Sequence, residues 1–300
     1  MKRRTLQPKE RTIEAELKRF LRTCETEGKS DRTIEQYRNS VVRFMKEVSG
    51  NINTELIGQD EIEDFTWGLK ERLSPGSVNY YLRGLRAFIN HLKLDLTVPM
   101  VKEVKKQITP FNEKQVRQIF QQINRKTFVG TRDHALLNLL FDTGIRINEA
   151  AGIRKKDILP GHVKVTGKGG KERVVPIGSY AMDSLRNYLE HVDDLPNDTP
   201  VFVSINNLPL NRHTVNDRIR LYVKKAGIEN IRASCHTFRH TFARAYLING
   251  GDMYSLRKIL GHETLDMVKE YVELFTHDVI EIHKKHSPSD TLFRRREKKK

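Results

Sequence analysis

The sequence predicts a mainly α-helical chain of two domains with one small β-hairpin. Three observations carry that expectation. Apolar residues recur at three- and four-residue spacing through most of the chain, the period of a helix with one buried face. One stretch, HVKVTGKGGKERVVPI, instead alternates around a glycine-rich tip, the pattern of a hairpin. Pro99 and Pro110 flank a charged run, KEVKKQ, between two sets of helical pattern. A chain of 300 residues has room for two domains of ordinary size.

Residues 1–10, MKRRTLQPKE, read as a flexible basic arm. From Thr12 to Glu27 an amphipathic helix is expected, with Ile13, Leu17, Phe20 and Leu21 on one side and Gly28 ending it. Asp31 or Thr33 starts a second helix to Val48, burying Ile34, Tyr37, Val41, Phe44 and Met45. Asp60 caps a third, with Ile62, Phe65 and Leu69 in its stripe. Ser74-Pro75-Gly76 begins a fourth, which runs to about Leu94 over Val78, Leu82, Leu85 and Ile89. These four helices define a compact domain over residues 11–96, followed by a linker over 97–109.

A second domain is expected over 110–286, with a basic tail over 287–300. Its first helix spans Asn112 to Ile123, and its second Thr131 to about Phe141. The near-continuous apolar run ALLNLLF makes that second helix central to the core. Asp142-Thr143-Gly144 ends it, and Arg146 and Glu149 follow at helical spacing. In the hairpin, Lys168 sits between two glycines at the tip. A phosphate-binding P-loop would need Ser or Thr after that lysine, and Gly169 stands there. Next come a helix from about Tyr180 to Val192, a short strand Val201-Phe202-Val203 and a helix from Thr214 to Ala226. Arg212, Arg218 and Arg220 on or near that last helix suit either phosphate-backbone contact or a solvated face.

Composition narrows the partner. Lys plus Arg is 54 against 38 for Asp plus Glu, a formal net charge of +16, which implies a polyanion. No apolar run approaches the roughly 20 residues that span a bilayer. With no apolar signal core after the basic N-terminus, a soluble cytoplasmic protein is expected. Cys24 and Cys235, far apart in sequence, fit a reducing compartment.

The chemistry concentrates between Ser234 and Leu274. His236 and Arg239 are three apart, with Phe238, Phe242 and Ala245 on an opposite, buried face. Gly250-Gly251 stops this helix, Asp252 caps the next, and Gly261-His262 ends that one. Tyr271 comes nine residues later, in a short helix begun by Thr264. Taken singly, His236 fits a cap or a surface group, Arg239 a solvated cation and Tyr271 a core tyrosine. Cys235, His236, His240 and His262 raise zinc, but the remaining cysteine is Cys24 and no C-x-x-C pair exists. Together, two imidazoles, a guanidinium and a phenol suit phosphoryl transfer onto the phenol without a metal.

The order H-x-x-R, then L-G-H, then that tyrosine resembles the tyrosine recombinase (integrase) family. TGIRINEAAGI, around Arg146, resembles the family's first arginine box. The resemblance covers nearly the whole chain and is strongest from Arg146 to Tyr271. It implies an N-terminal four-helix core-binding (SAM-like) domain that clamps DNA, with Arg32, Arg38, Arg43, Arg83 and Arg86 as candidate contacts. It implies a C-terminal α+β catalytic domain in which Tyr271 attacks the scissile phosphate. In that scheme Arg146 and Arg239 hold the non-bridging oxygens and Glu149 supports Arg146. Lys168 is the general acid for the leaving oxygen, His236 assists proton transfer and His262 hydrogen-bonds the phosphate.

No cofactor and no metal is expected. The implied partner is double-stranded DNA at a specific site, and the assembly a homotetramer on two duplexes, or one shared with a related recombinase subunit. A short helix around Val279 and Ile282 either docks in a neighbouring subunit or packs in cis. The lack of an arm-binding domain before residue 10 leans towards a simple Xer-like architecture. The rival readings are a type IB topoisomerase and a catalytically silent DNA-binding regulator. The compact N-terminal domain and the helix after the tyrosine argue against the first, and the complete residue set against the second.

Overall fold

The computed structural model describes residues 11–47, 53–103, 108–262, 264, 280, 283, 284, 286, 287 and 289, and of Lys168 the backbone alone. The chain divides into two units, Met1–Lys106 and Gln107–Lys300.

Helices build the first unit: α1 (Ile13–Thr26), α2 (Asp31–Glu47), α3 (Gln59–Arg72) and α4 (Pro75–Leu92). Thr12 starts α1, its hydroxyl accepting from the Ala15 amide at 3.3 Å. Proline in the first turn of α4 follows Ser74 at the N-cap. For α3 the cap is Gly58 and not Asp60: the Glu61 carboxylate reaches back to accept the Gly58 amide at 2.8 Å. The expected apolar stripes meet in one core, with Phe44 edge-on to Phe65 at 5.2 Å and Phe20 stacked on Tyr37 at 5.4 Å.

The second unit is wrapped around α6 (Phe128–Thr143), whose Ala135, Leu136, Leu137, Leu139 and Leu140 are buried against α8 (Ser179–Leu189) and α10 (Cys235–Ile248). α6 starts earlier than its apolar run predicts, because Thr127 caps it by accepting the Gly130 amide at 3.1 Å. Thr131, expected as the start, lies inside and returns its hydroxyl to the Arg125 and Thr127 carbonyls. Also in this unit, among the described residues, are α5 (Glu113–Gln121), α7 (Ile147–Ala151), α9 (Arg212–Lys225) and α11 (Met253–Leu260). Asn211 caps α9, so that helix opens at Arg212 and not at Thr214.

The hairpin forms, β2 (His162–Thr166) pairing antiparallel with β3 (Glu172–Pro176), Val163 opposite Val175. A two-residue strand β1 (Ile158–Leu159) adds to β2, which the alternation did not signal. Val201-Phe202-Val203 is buried but is not a strand. Its pairing stops at an isolated antiparallel bridge between Val203 and Pro209, with the Val201 amide donating to the Ile153 carbonyl at 2.8 Å; the Tyr188 hydroxyl donates to the Val201 carbonyl at 2.8 Å and accepts from the Val203 amide at 3.3 Å. Cys24 and Cys235 are free and buried. Among the described residues no helix is long and apolar enough to cross a membrane.

Two consequences can be measured. A Cβ on Gly84 of α4 would sit 2.2 Å from Ser40 Oγ and 2.5 Å from Ser40 Cβ on α2. Gly84→Ala therefore destabilises the first unit by about 1–3 kcal/mol in a urea melt, as overpacking does; an unchanged midpoint would show that α2 and α4 separate freely. The second concerns His134, buried beside Ser184 Oγ at 2.6 Å. Burial, with a smaller contribution from Arg125, pushes this imidazole down to about 4. Below pH 6.5 the unfolded chain takes up a proton that the folded chain refuses. Stability is then lost as pH falls from 6.5 towards 4, by about 1–3 kcal/mol. His134→Gln flattens that slope; an identical slope would place the acid sensitivity elsewhere.

Candidate active site

The site begins where α6 ends. Gly144 takes the left-handed conformation at φ 60° and turns the chain, Ile145 is buried, and Arg146 becomes the N-cap of α7. Glu149, three residues on, reaches back to this cap. Its Oε2 accepts the Arg146 amide at 2.8 Å and its Oε1 accepts Arg146 Nη1 at 3.1 Å. The Arg146 side chain is 43% exposed and that of Glu149 4%. One buried carboxylate thus orients a guanidinium that faces outward.

A second guanidinium shares that carboxylate. Arg173 on β3 donates from Nη1 to Oε1 at 2.8 Å and from Nη2 to Oε2 at 2.9 Å, a bidentate pair. It also donates from Nε to the Ile259 carbonyl at 3.2 Å and from Nη2 to the Leu260 carbonyl at 3.4 Å. Burial pushes the Glu149 carboxyl up, but the Arg173 hydrogen bonds, the Arg146 amide and the two guanidinium charges outweigh it. The group is held below the usual carboxylate range.

Arg239 supplies the other anchor. Ser234 caps α10, and Arg239 falls in its second turn, 3% exposed. Its Nη1 donates to the Gly144 carbonyl at 2.7 Å and its Nη2 to the Leu260 carbonyl at 2.9 Å. Nη2 also lies 2.6 Å from His262 Nε2. Arginine can only donate, so Nε2 accepts there and a neutral ring carries its proton on Nδ1. The expectation that α10 has a wet His/Arg face is corrected here. Thr237, Arg239, His240 and Thr241 are all buried with Phe238 and Phe242, while His236 is exposed. Three-residue spacing gave the shared side of His236 and Arg239 but not the carbonyls that let a cation sink inside.

The structure therefore brings together Arg146, Glu149, Arg239 and His262, and adds Arg173. Three guanidiniums against one carboxylate make a cluster of net positive charge, from which the Arg146 guanidinium faces outward. Lys168 lies in the tight turn Lys168–Gly170 between β2 and β3, its side chain outside the described atoms. Tyr271, the helix expected after Thr264, Val279, Ile282, the basic arm and the last residues of the tail lie outside the described residues. Among the described residues no group of three or more His, Cys, Asp or Glu is placed to share a metal ion.

Arg173 was not singled out from sequence. The signal was there: it shares the inward side of β3 with Val175, and a cation at an inward strand position needs a buried acid. The candidate DNA contacts divide. Arg32, Arg38, Arg83 and Arg212 are exposed. Arg43 pairs with Glu47 at 3.0 Å, Arg220 with Asp217 at 2.8 Å, and Arg86 donates to the Val98 carbonyl at 3.1 Å. Arg218, expected on an outer face, is turned inward to Asp133 at 2.6 Å, where the Tyr222 hydroxyl also donates at 2.7 Å.

Residues 110–278 match the family model described as the Phage integrase family, and residues 17–97 match its N-terminal SAM-like domain. Tyrosine recombinase XerD of Shewanella oneidensis is 30% identical over 280 residues, covering 88% of this chain and 93% of that protein. The fold is shared with the site-specific recombinase XerH in a post-cleavage complex with palindromic difH, at a TM-score of 0.72 and 19% identity, covering 91% of this chain and 85% of that one. It is shared also with a lambda integrase tetramer bound to a Holliday junction, at 0.68 and 18%, covering 88% and 79%.

The anchoring of Arg239 predicts a stability effect apart from any reaction. Arg239→Met removes the donor to the Gly144 carbonyl and the shorter of two side-chain donors to the Leu260 carbonyl while leaving both carbonyls in place. Relief of a buried charge does not offset the loss, and the unfolding free energy falls by about 2–4 kcal/mol. An unchanged urea midpoint would mean that neither carbonyl depends on this side chain.

Proposed function

Since this chain belongs to the phage integrase family of tyrosine recombinases, we propose that it cleaves and rejoins DNA at the cationic cluster just described, with Tyr271 as nucleophile. It is a tyrosine-type site-specific recombinase, and its partner is DNA. The observation that supports this use of the site is the linked anchoring of Arg146 by Glu149, of Arg239 by two helix-end carbonyls and of His262 by Arg239.

In the proposed step the Tyr271 oxygen forms a bond to the scissile phosphorus and the bond to the 5′-oxygen breaks. The phenol proton leaves with the help of His236, and Lys168 delivers a proton to the departing 5′-oxygen. The products are a 3′-phosphotyrosine and a free 5′-hydroxyl. Arg146 and Arg239 stabilise the charge that builds on the non-bridging oxygens, and their fixed positions mean that little reorganisation is needed at that moment. With Nε2 accepting from Arg239, the donor His262 offers is Nδ1–H. Strand exchange reverses the step with a 5′-hydroxyl from another duplex. The phosphodiester energy stays in the protein–DNA bond, so the scheme needs no ATP. Two duplexes with two strands each fit a tetramer, of this chain alone or with a related recombinase, as in the lambda integrase tetramer bound to a Holliday junction.

The test is covalent trapping on nicked duplexes drawn from the DNA flanking the gene. The adduct is expected in excess EDTA, because guanidinium and ammonium groups supply the positive charge; loss on chelation, restored by a divalent metal, would contradict the scheme. Lys168→Ala is expected to slow cleavage by about 10²–10⁴-fold, and to cleave near the wild-type rate when sulfur replaces the 5′-bridging oxygen, since a thiolate leaves without a proton. Arg146→Ala stays impaired on both substrates. Equal slowing of Lys168→Ala on both would remove the lysine from the acid role.

A further inference from the structure

We propose that Arg173 is a positioning residue for cleavage: by sharing the Glu149 carboxylate it keeps the Arg146 guanidinium available to the phosphate. This rests on the reading that Arg146 holds the scissile phosphate. A carboxylate has about four lone-pair sites, and all of them are engaged on Glu149. Oε1 accepts Nη1 of Arg173 and Nη1 of Arg146, and Oε2 accepts Nη2 of Arg173 and the Arg146 amide. Of these the Arg146 side-chain bond is the longest, at 3.1 Å, and that side chain remains 43% exposed. Arg173 thus holds both oxygens in the fork that suits a guanidinium, and Arg146 is left with one side-chain contact to the carboxylate.

Without Arg173 the balance changes. Both Glu149 oxygens lose a partner inside the protein, where an unpaired charge is costly. The Arg146 guanidinium is the cation already in contact, and it would close onto the carboxylate in the bidentate geometry that Arg173 gave up. A guanidinium withdrawn in that way faces the acid and not the phosphate.

Arg173 reaches a third segment as well. Its bonds to the Ile259 and Leu260 carbonyls hold the end of α11, immediately before Gly261 and His262. Gly261 has φ 66° and lies flat against this guanidinium: a Cβ there would come within 2.8 Å of Arg173 Cζ. The glycine of the LGH run therefore serves both the turn and the close passage of Arg173. The same side chain ties the strand that follows Lys168 to the segments of Arg146 and His262.

A double-mutant cycle separates this role from that of a simple brace. The readout is the single-turnover rate constant for covalent adduct formation by protein already bound to a nicked duplex, which an unfolded fraction leaves unchanged. Arg173→Met is expected to slow cleavage by about 10²-fold, the scale of a misplaced reacting group, with DNA affinity nearly intact. Glu149→Gln alone also slows cleavage. In the Arg173→Met background, however, it removes the charge that draws Arg146 in, and cleavage recovers by about tenfold. If the Met variant does not fold, Arg173→Lys with and without Glu149→Gln is measured in the same way, with recovery again expected. A double variant as slow as the Arg173 single variant, or slower, overturns the proposal. An adduct in the wild type that disappears in Arg146→Ala keeps the reading of Arg146 intact whatever the cycle shows. Absence of any wild-type adduct would reject that reading and this proposal with it.

Discussion

A carboxylate inside a protein must be paired, and the pairing of Glu149 fixes much of the site. Its side chain is 4% exposed and accepts from two guanidiniums and one backbone amide. Removing one partner of such a group typically costs about 3–5 kcal/mol, so α7, β3 and the end of α11 are held together by a strong local demand. Each of those segments carries or adjoins a residue assigned to the reaction: Arg146 on the first, His262 beyond the last, and Lys168 in the turn before β3. The acid that neutralises one positive charge is the means by which several are placed.

Helix ends supply the second constraint. The carbonyls of Gly144 and Leu260 lie at the C-termini of α6 and α11, where carbonyls lack partners within the helix and carry partial negative charge. Arg239 donates to both, and Arg173 donates to the second. These arginines finish helices while they hold the cationic cluster together. The bonds that stabilise the fold and the bonds that orient the site are in part the same, so changes to Arg239 act on stability and cleavage together. The network of Arg132, Asp133, Arg218 and Tyr222 differs in kind. It joins α6 to α9, shares no hydrogen bond with Glu149 or Arg239 among those described, and buries its acid at 2% exposure.

Helix stripes and caps were legible in the sequence because they rest on local spacing. Thr12, Ser74, Asn112 and Asp252 begin their helices where the sequence places them, and the apolar residues of the first four helices form one core. The hairpin was legible for the same reason. The starts of α3, α6 and α9 escaped although their caps are local, and the rest of what escaped was set by partners distant in sequence. Arg218 looks like any arginine on an amphipathic helix until Asp133 is placed beneath it. Val201-Phe202-Val203 reads as a strand, yet its pairing is limited to the isolated bridge of Val203 with Pro209, and the Tyr188 hydroxyl joins the Val201 carbonyl to the Val203 amide. Arg239 counts as polar in any periodicity, and its burial depends on carbonyls from two other helices. Arg173 lay in plain alternation with Val175, but its meaning needed the acid at Glu149 to be known as buried.

The proposed reaction requires a phenol as the group that carries the DNA. The most direct measurement is to trap the wild-type protein on a nicked duplex, digest the adduct and sequence the nucleotide-bearing peptide by mass spectrometry. The account predicts a single modified residue, Tyr271, joined through its oxygen to a 3′-phosphate. A nucleotide on Tyr246, Tyr254 or any other side chain, or a phosphate joined through its 5′-oxygen, would contradict it.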